Sequence, residues 1–183
     1  MMDGSGLLRR GVITLVIIAG IAAAPRAQSA AAPDLQAAFL LNFARFTEWP
    51  EADTRHAIVM CVFGDARVSG ALQKSLRGQS IEGRALAVTQ IDEDADVRPC
   101  HVLFVGKSSL SEGMPLLRRA SRLSVLTVSD HEGFAATAGI IELFVEHGRM
   151  RFAVNIDAAR ASQLNLSSRL LNLARIVRGK HAI

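Results

Sequence analysis

The residues most able to do chemistry are two cysteines and a histidine. Cys100-His101 is the pairing a thiolate site uses, and with Cys61 it makes a conceivable metal-ligand set. Neighbours on a strand point to opposite faces, however, so Cys100 and His101 diverge if the run at 101–105 is extended. Gly106-Lys107-Ser108 matches the end of a phosphate-binding loop, but the glycine needed five residues earlier is His101. There is no G-x-G-x-x-G, no G-x-S-x-G and no H-E-x-x-H, and the histidines at 56, 101, 131, 147 and 181 are well separated. The sequence therefore offers no catalytic residue, no metal ligand and no cofactor motif. The expectation is a protein that is not an enzyme.

The elements that must position these residues begin after an export signal. Arg9 and Arg10 precede an uncharged run at 11–24, followed by Pro25, Arg26 and the small residues Ala27 and Ser29. A positive start, a short apolar stretch and a small-x-small site describe a secretory signal peptide, here residues 1–29 with cleavage after Ser29. Fourteen helical residues cover roughly 21 Å, less than the roughly 30 Å hydrocarbon core, which disfavours an uncleaved anchor. No cysteine stands in this segment to take a lipid, and Leu8, Val12 and Ile13 around the arginine pair give the twin-arginine route little support.

The mature part, 34–183, reads as one α/β domain. Pro33-Asp34 is expected to open a helix to about residue 47, with Asp34 as its N-cap and Leu35, Ala38, Phe39, Asn42, Phe43 and Phe46 as its apolar face. Continuous apolar runs at 57–63, 101–105 and 123–128, each ended by Gly or Asp, are what a parallel sheet covered on both faces requires. Helices are expected at 66–76 and 108–121, and a further strand at 81–91. Residues 139–145 and 150–156 flank Glu146-His147-Gly148-Arg149 and read as a β-hairpin, the second strand alternating Met150, Phe152, Val154 and Ile156 with polar or small residues. Two helices are expected to follow, at 157–163 and 168–178, the latter capped by Ser167 or Ser168 and buried through Leu170, Leu171, Ala174 and Val177. The fold class is thus a single-domain sandwich with a mostly parallel central sheet, flanking helices, a C-terminal β-hairpin and terminal helices.

In an oxidising compartment an even cysteine count favours a disulfide. Cys61 lies in the first strand of the sheet and Cys100 at the head of the run expected beside it. Closing that loop of about 40 residues stabilises the fold by roughly 4 kcal/mol in the chain-entropy account. Without a C-x-x-C there is no support for a thioredoxin-like role, so the bridge is expected to be structural.

Charge excludes another class. Of 21 basic and 17 acidic side chains in 183 residues, residues 1–29 hold Arg9, Arg10, Arg26 and Asp3, so the mature chain carries 18 and 16, a net of +2. The arginines are scattered, as in Arg118, Arg119 and Arg122, or grouped near a chain end, as in Arg169, Arg175 and Arg178. No basic stripe interleaved with aromatics appears, and no nucleic-acid partner is expected.

Several blocks in order resemble one family. Phe39-Leu40-Leu41-Asn42-Phe43-Ala44-Arg45-Phe46-Thr47-Glu48-Trp49-Pro50 is similar to the opening signature of the YfiR/HmsC-like exported proteins. The likeness continues through Ile58-Val59-Met60-Cys61-Val62-Phe63-Gly64, Cys100-His101-Val102-Leu103-Phe104-Val105-Gly106 and Val125-Leu126-Thr127-Val128-Ser129-Asp130. It ends with Arg151-Phe152-Ala153-Val154-Asn155-Ile156 and the block 164–174. The chain lacks the second, C-terminal cysteine pair of the best-known member and has Ala138-Gly139 where the family often has two glycines.

The resemblance implies a periplasmic regulator that binds and represses the sensory domain of a membrane-bound diguanylate cyclase, so controlling cyclic di-GMP and biofilm formation. It also implies an outer-membrane lipoprotein that relieves the repression, a homodimer, and a disulfide at Cys61 and Cys100. Nothing in the sequence separates an interface leucine from a core leucine, so no partner-binding residue is named. A second reading is a periplasmic small-molecule-binding module, with Gly64-Asp65, Gly106-Lys107 and Ser129-Asp130 lining the carboxyl edge of the sheet. A regulator of another membrane receptor is a further alternative, and an exported enzyme is a third reading that would need a convergent triad the sequence does not show.

Overall fold

The computed structural model describes residues 26–50, 53, 55–137 and 139–179. The apolar core of the expected signal segment lies outside them, as do Ala138 and His181. Helix α1 (Arg26–Arg45) leads through β1 (Thr47–Glu48) into β2 (Ala57–Phe63), α2 (Ala66–Ser75), β3 (Ser80–Ile81) and β4 (Arg84–Gln90). Then come β5 (Val102–Val105), a 3-10 turn at Lys107–Ser109, α3 (Leu110–Ala120), β6 (Leu126–Ser129) and α4 (Phe134–Thr137). The C-terminal part comprises β7 (Ile141–Glu146), β8 (Arg149–Asn155), α5 (Ile156–Ala161), β9 (Asn165–Leu166), α6 (Ser168–Leu171) and β10 (Arg175–Val177).

One eight-stranded sheet runs in the order β10-β8-β7-β6-β5-β2-β4-β3, and β1 pairs antiparallel with β9 outside it. Strands β4, β2, β5, β6 and β7 are mutually parallel. The antiparallel neighbours are β3 on one side and the β7-β8 hairpin on the other. The parallel part is the doubly wound arrangement in which the first strand lies between the second and third, with the order reversing between β2 and β5. The continuous apolar runs arise because both faces are covered. Ile58, Met60, Val62, Val102 and Phe104 face a core roofed by α1 and α2, while Cys61, Leu103 and Val105 face a second core roofed by α3.

Three local expectations are corrected. Helix α1 passes through Pro33 instead of starting there, so Asp34 is an exposed helical residue and not the N-cap. Proline lacks the N–H that would bond the Ser29 carbonyl four residues back, so α1 goes without one helical hydrogen bond at this position. The buried face of α1 is Ala37, Leu40, Leu41 and Ala44 with Phe43, whereas Leu35, Ala38 and Asn42 face outward. Both stripes have helical spacing, and contact with the sheet and α2 decides between them.

The third correction is the expected helix 168–178. It stops at Leu171, and Arg175–Val177 joins the sheet as an edge strand parallel to β8. Ser167 does cap the short helix, accepting the Leu170 N–H. Of the expected stripe only Leu170 is fully buried. A lone turn anchored by one leucine does not propagate, and the β-branched Ile176-Val177 pair suits a strand beside β8.

Candidate functional site

The sheet brings two groups of sequence-singled residues together at opposite ends. At the amino end of β5 the expected disulfide is present: Cys61 of β2 is bonded to Cys100, with Cα atoms 5.7 Å apart. Cys61 stands beside Leu103 in the parallel register, which places Cys100 just before β5 and within reach. Both sulfurs lie in the core under α3.

His101 turns the other way, because the chain bends at this residue just before β5 begins at Val102. Its side chain is completely buried and its ring lies edge-on to Trp49 at 5.2 Å. The Val59 N–H donates to Nδ1 at 3.1 Å, which assigns the proton to Nε2; that nitrogen donates to Asp53 Oδ2 at 2.8 Å and has Arg84 Nη2 2.7 Å away. Arg84 Nη2 also reaches that carboxylate oxygen, at 3.2 Å, and Arg55 Nε donates to Oδ1 at 2.6 Å. Arg55 continues to the carbonyls of Arg98 and Cys100, which ties the cluster to the disulfide.

The electrostatics follow from burial and these partners. Burial pushes the Asp53 carboxyl up, but hydrogen bonds from Arg55 and the nearby positive charge outweigh it and hold Asp53 well below the usual carboxylate range. Burial, then the Arg55 and Arg84 charges, push His101 down to about 4 against the pull of Asp53. The imidazole is therefore neutral at neutral pH. A carboxylate and an imidazole side by side suggest general-base chemistry, but the base must present its second nitrogen to a nucleophile. Here that nitrogen is occupied by a main-chain N–H, and the ring reaches no open surface. The cluster is a brace joining Asp53 and Arg55 to β2, β4 and the start of β5.

The other end of the sheet holds the crevice the alternative reading pointed to. A cleft of about 660 Å³ lies at the carboxyl edge, lined by Lys107 and Asp130 together with residues of α1 and the β7-β8 hairpin. Asp130 accepts the Lys107 N–H at 2.8 Å and the Gln36 amide at 3.1 Å. The amide that a phosphate loop would offer to a ligand is thus taken by the chain's own carboxylate. The other expected edge residues have structural roles. Asp65 caps α2 by accepting from Arg67 and Val68, Gly64 at φ 77° packs against Ser109, and Ser129 is buried. Among the described residues no group of three His, Cys, Asp or Glu side chains is placed to hold a metal ion.

Residues 33–175 match the family model described as YfiR/HmsC-like. The chain belongs to the YfiR/HmsC-like family. This family is regulatory and not catalytic, and membership supports a role in periplasmic regulation of cyclic di-GMP signalling in general, through interaction with a membrane-bound sensor or cyclase. Among the described residues no helix is long and apolar enough to cross a membrane.

Sequence reasoning missed Asp53, Arg55 and Arg84 because they come from a loop and an edge hairpin far from His101 in the chain. One signal could have found the cluster. A histidine in an otherwise apolar buried run must have hydrogen-bond partners, and the nearby polar residues were the candidates.

Proposed function

We propose that this protein is exported by cleavage after Ser29 and acts in the periplasm as a homodimeric repressor that binds the sensory domain of a membrane-bound diguanylate cyclase. The match to the YfiR/HmsC-like family over residues 33–175 carries this reading. The geometry agrees with inhibition by binding: among the described residues the one imidazole-carboxylate pair, His101 with Asp53, is buried and engaged, and the cystine is internal. A regulator that prefers the inactive receptor shifts its population without any chemistry, and about 5.5 kcal/mol of differential affinity moves a switch from mostly on to mostly off. An outer-membrane lipoprotein relieves the repression by competing for the regulator.

The test is direct binding between the purified exported protein and the periplasmic domain of each membrane-bound cyclase from the same cell. Saturable binding to one of them, with lowered cyclase activity in reconstituted membranes, is the expected result. Absence of binding to all of them overturns the cyclase assignment. The cleft at the carboxyl edge favours a second reading, a small-molecule-binding module, which calorimetry against a metabolite panel checks.

A further inference from the structure

The register around β7 leaves part of that strand without a neighbour. Strand β6 pairs with β7 only at Val128↔Ile141 and Ser129↔Glu142, then turns away. Strand β7 runs on to Glu146, paired on its other side with β8 along its whole length. The hydrogen-bond phase tells which groups are left over. Asn155 N–H donates to Ile140 O, and the β7-β8 hairpin turns through His147 and Gly148, both at positive φ. Hydrogen-bonded pairs therefore fall at 140/155, 142/153, 144/151 and 146/149. The N–H and C=O groups of Leu143 and Val145 point the other way, into the space where β6 would have continued. Among the described residues no strand occupies it.

That space is the cleft of about 660 Å³. An exposed edge of this kind is normally blunted or covered, because it is a template for a further strand. Val145 is 69% exposed beside it, whereas Leu143 is 2% exposed at the inner wall, so the edge is most open at Val145. The walls carry Asp130, Glu132, Glu142 and Glu146 against Lys107 and Arg175, four carboxylates to two cations. The chain after residue 29 has a net charge of +2, so this acidic slot runs against the general sign. It is complementary to a basic segment.

We infer that the open edge of β7 at Leu143 and Val145 is a docking site for an extended, basic segment of a partner protein, which adds to the sheet in line with β6. Main-chain hydrogen bonds to Leu143 and Val145 supply affinity and the acidic walls supply selection. This deepens the binding role proposed above and rests on it for the partner's biological identity. The groove itself is tested without that partner, so either reading can fail while the other stands.

The probe is a fluorescein-labelled heptapeptide alternating lysine and valine, titrated with the purified exported protein and read by anisotropy. Two comparison peptides carry glutamate for lysine, or N-methyl groups on alternate amides. Saturable binding is expected for the lysine peptide, and binding at least about tenfold weaker for both others. Hydrogen exchange on the wild type is expected to show the Val145 amide exchanging freely alone and protected with peptide. Val145→Pro removes an N–H that faces the groove and no bond to β8, and should weaken binding about tenfold. Should that variant misfold, Glu132→Lys with Glu146→Lys provides the second arm, with a loss of about threefold or more at unchanged thermal midpoint. No saturation by about 1 mM peptide, equal affinity for the lysine and glutamate peptides, or indifference to N-methylation each overturns the inference.

Discussion

Acidification should weaken this fold through one residue, His101. Its pKa is pushed down to about 4 from an ordinary 6.5 by burial and neighbouring guanidinium charge. The unfolded chain therefore takes up a proton on this side chain at pH values where the native protein does not. Its contribution is whole above the ordinary value and is lost as pH falls from about 6.5 toward 4. At about pH 5 the unfolded histidine is almost fully protonated and the native one about a tenth so, a cost of about 2 kcal/mol relative to pH 8. For a domain of this size that is a drop in Tm of roughly 4–8 °C. Asp53 does not confuse the window. Its native pKa is depressed, so its contribution is lost only below the ordinary carboxylate value of 3.8. The assay is urea unfolding followed by Trp49, the single tryptophan, whose ring lies 5.2 Å from His101. His101→Gln supplies the reference, because its amide can accept from Val59 and donate to Asp53 but does not titrate. Between pH 8 and 5 the wild type should lose about 2 kcal/mol more than His101→Gln. Parallel losses in the two proteins would refute the claim that a buried neutral imidazole couples this fold to pH.

Other consequences follow from the packing. Replacing both Cys61 and Cys100 by serine opens a bridge of sequence separation 39 and should destabilise the protein by about 4 kcal/mol, measured by urea unfolding against the oxidised wild type. Alkylation with intact mass should label neither cysteine in the native exported protein, and labelling of both contradicts the bridge. Asp53→Ala leaves Arg55 and Arg84 without their common counter-ion and His101 Nε2 without its acceptor. With both guanidiniums partly solvated the cost should be near 3 kcal/mol, the low end for a broken buried pair. Phe43 is fully buried and its ring lies 5.8 Å from Phe39 and 5.0 Å from Phe152. Phe43→Ala should cost about 3–5 kcal/mol in the same assay, and a loss under about 1 kcal/mol would show that α1 does not pack on β8 as described.

The central strands were legible because their burial on both faces writes itself as unbroken apolar runs: β2 appears at its expected limits, and β5 and β6 within a few residues of theirs. The hairpin was legible through alternation along β8 and the connection Glu146-His147-Gly148-Arg149, which the structure tightens to a two-residue turn at His147-Gly148. The ends were not. Leu170, Leu171, Ala174 and Val177 have helical spacing, but a spacing pattern cannot say that Arg175–Val177 finds an open position beside β8. In α1, Leu35, Phe39 and Phe46 compete with Ala37, Leu40 and Ala44 for the same burial, and only the sheet settles which side turns in. The Cys61–Cys100 pairing was within reach because two cysteines allow one intramolecular bridge. The Asp53-Arg55-Arg84 shell around His101 was not, since its members meet across 17 to 48 residues of sequence and no local pattern records such a meeting. The cleft beyond β6 was placed on the correct sheet edge by the rule for parallel strands, but the open hydrogen-bonding groups of Leu143 and Val145 depend on where β6 stops.

We propose that this protein holds a diguanylate cyclase in check from the periplasm. Cellular cyclic di-GMP in a clean deletion strain, set against its parent and a complemented strain, tests it most directly. A rise in the deletion that complementation reverses is the predicted result. Unchanged cyclic di-GMP across several growth conditions would contradict it and move the function to another receptor or to ligand binding.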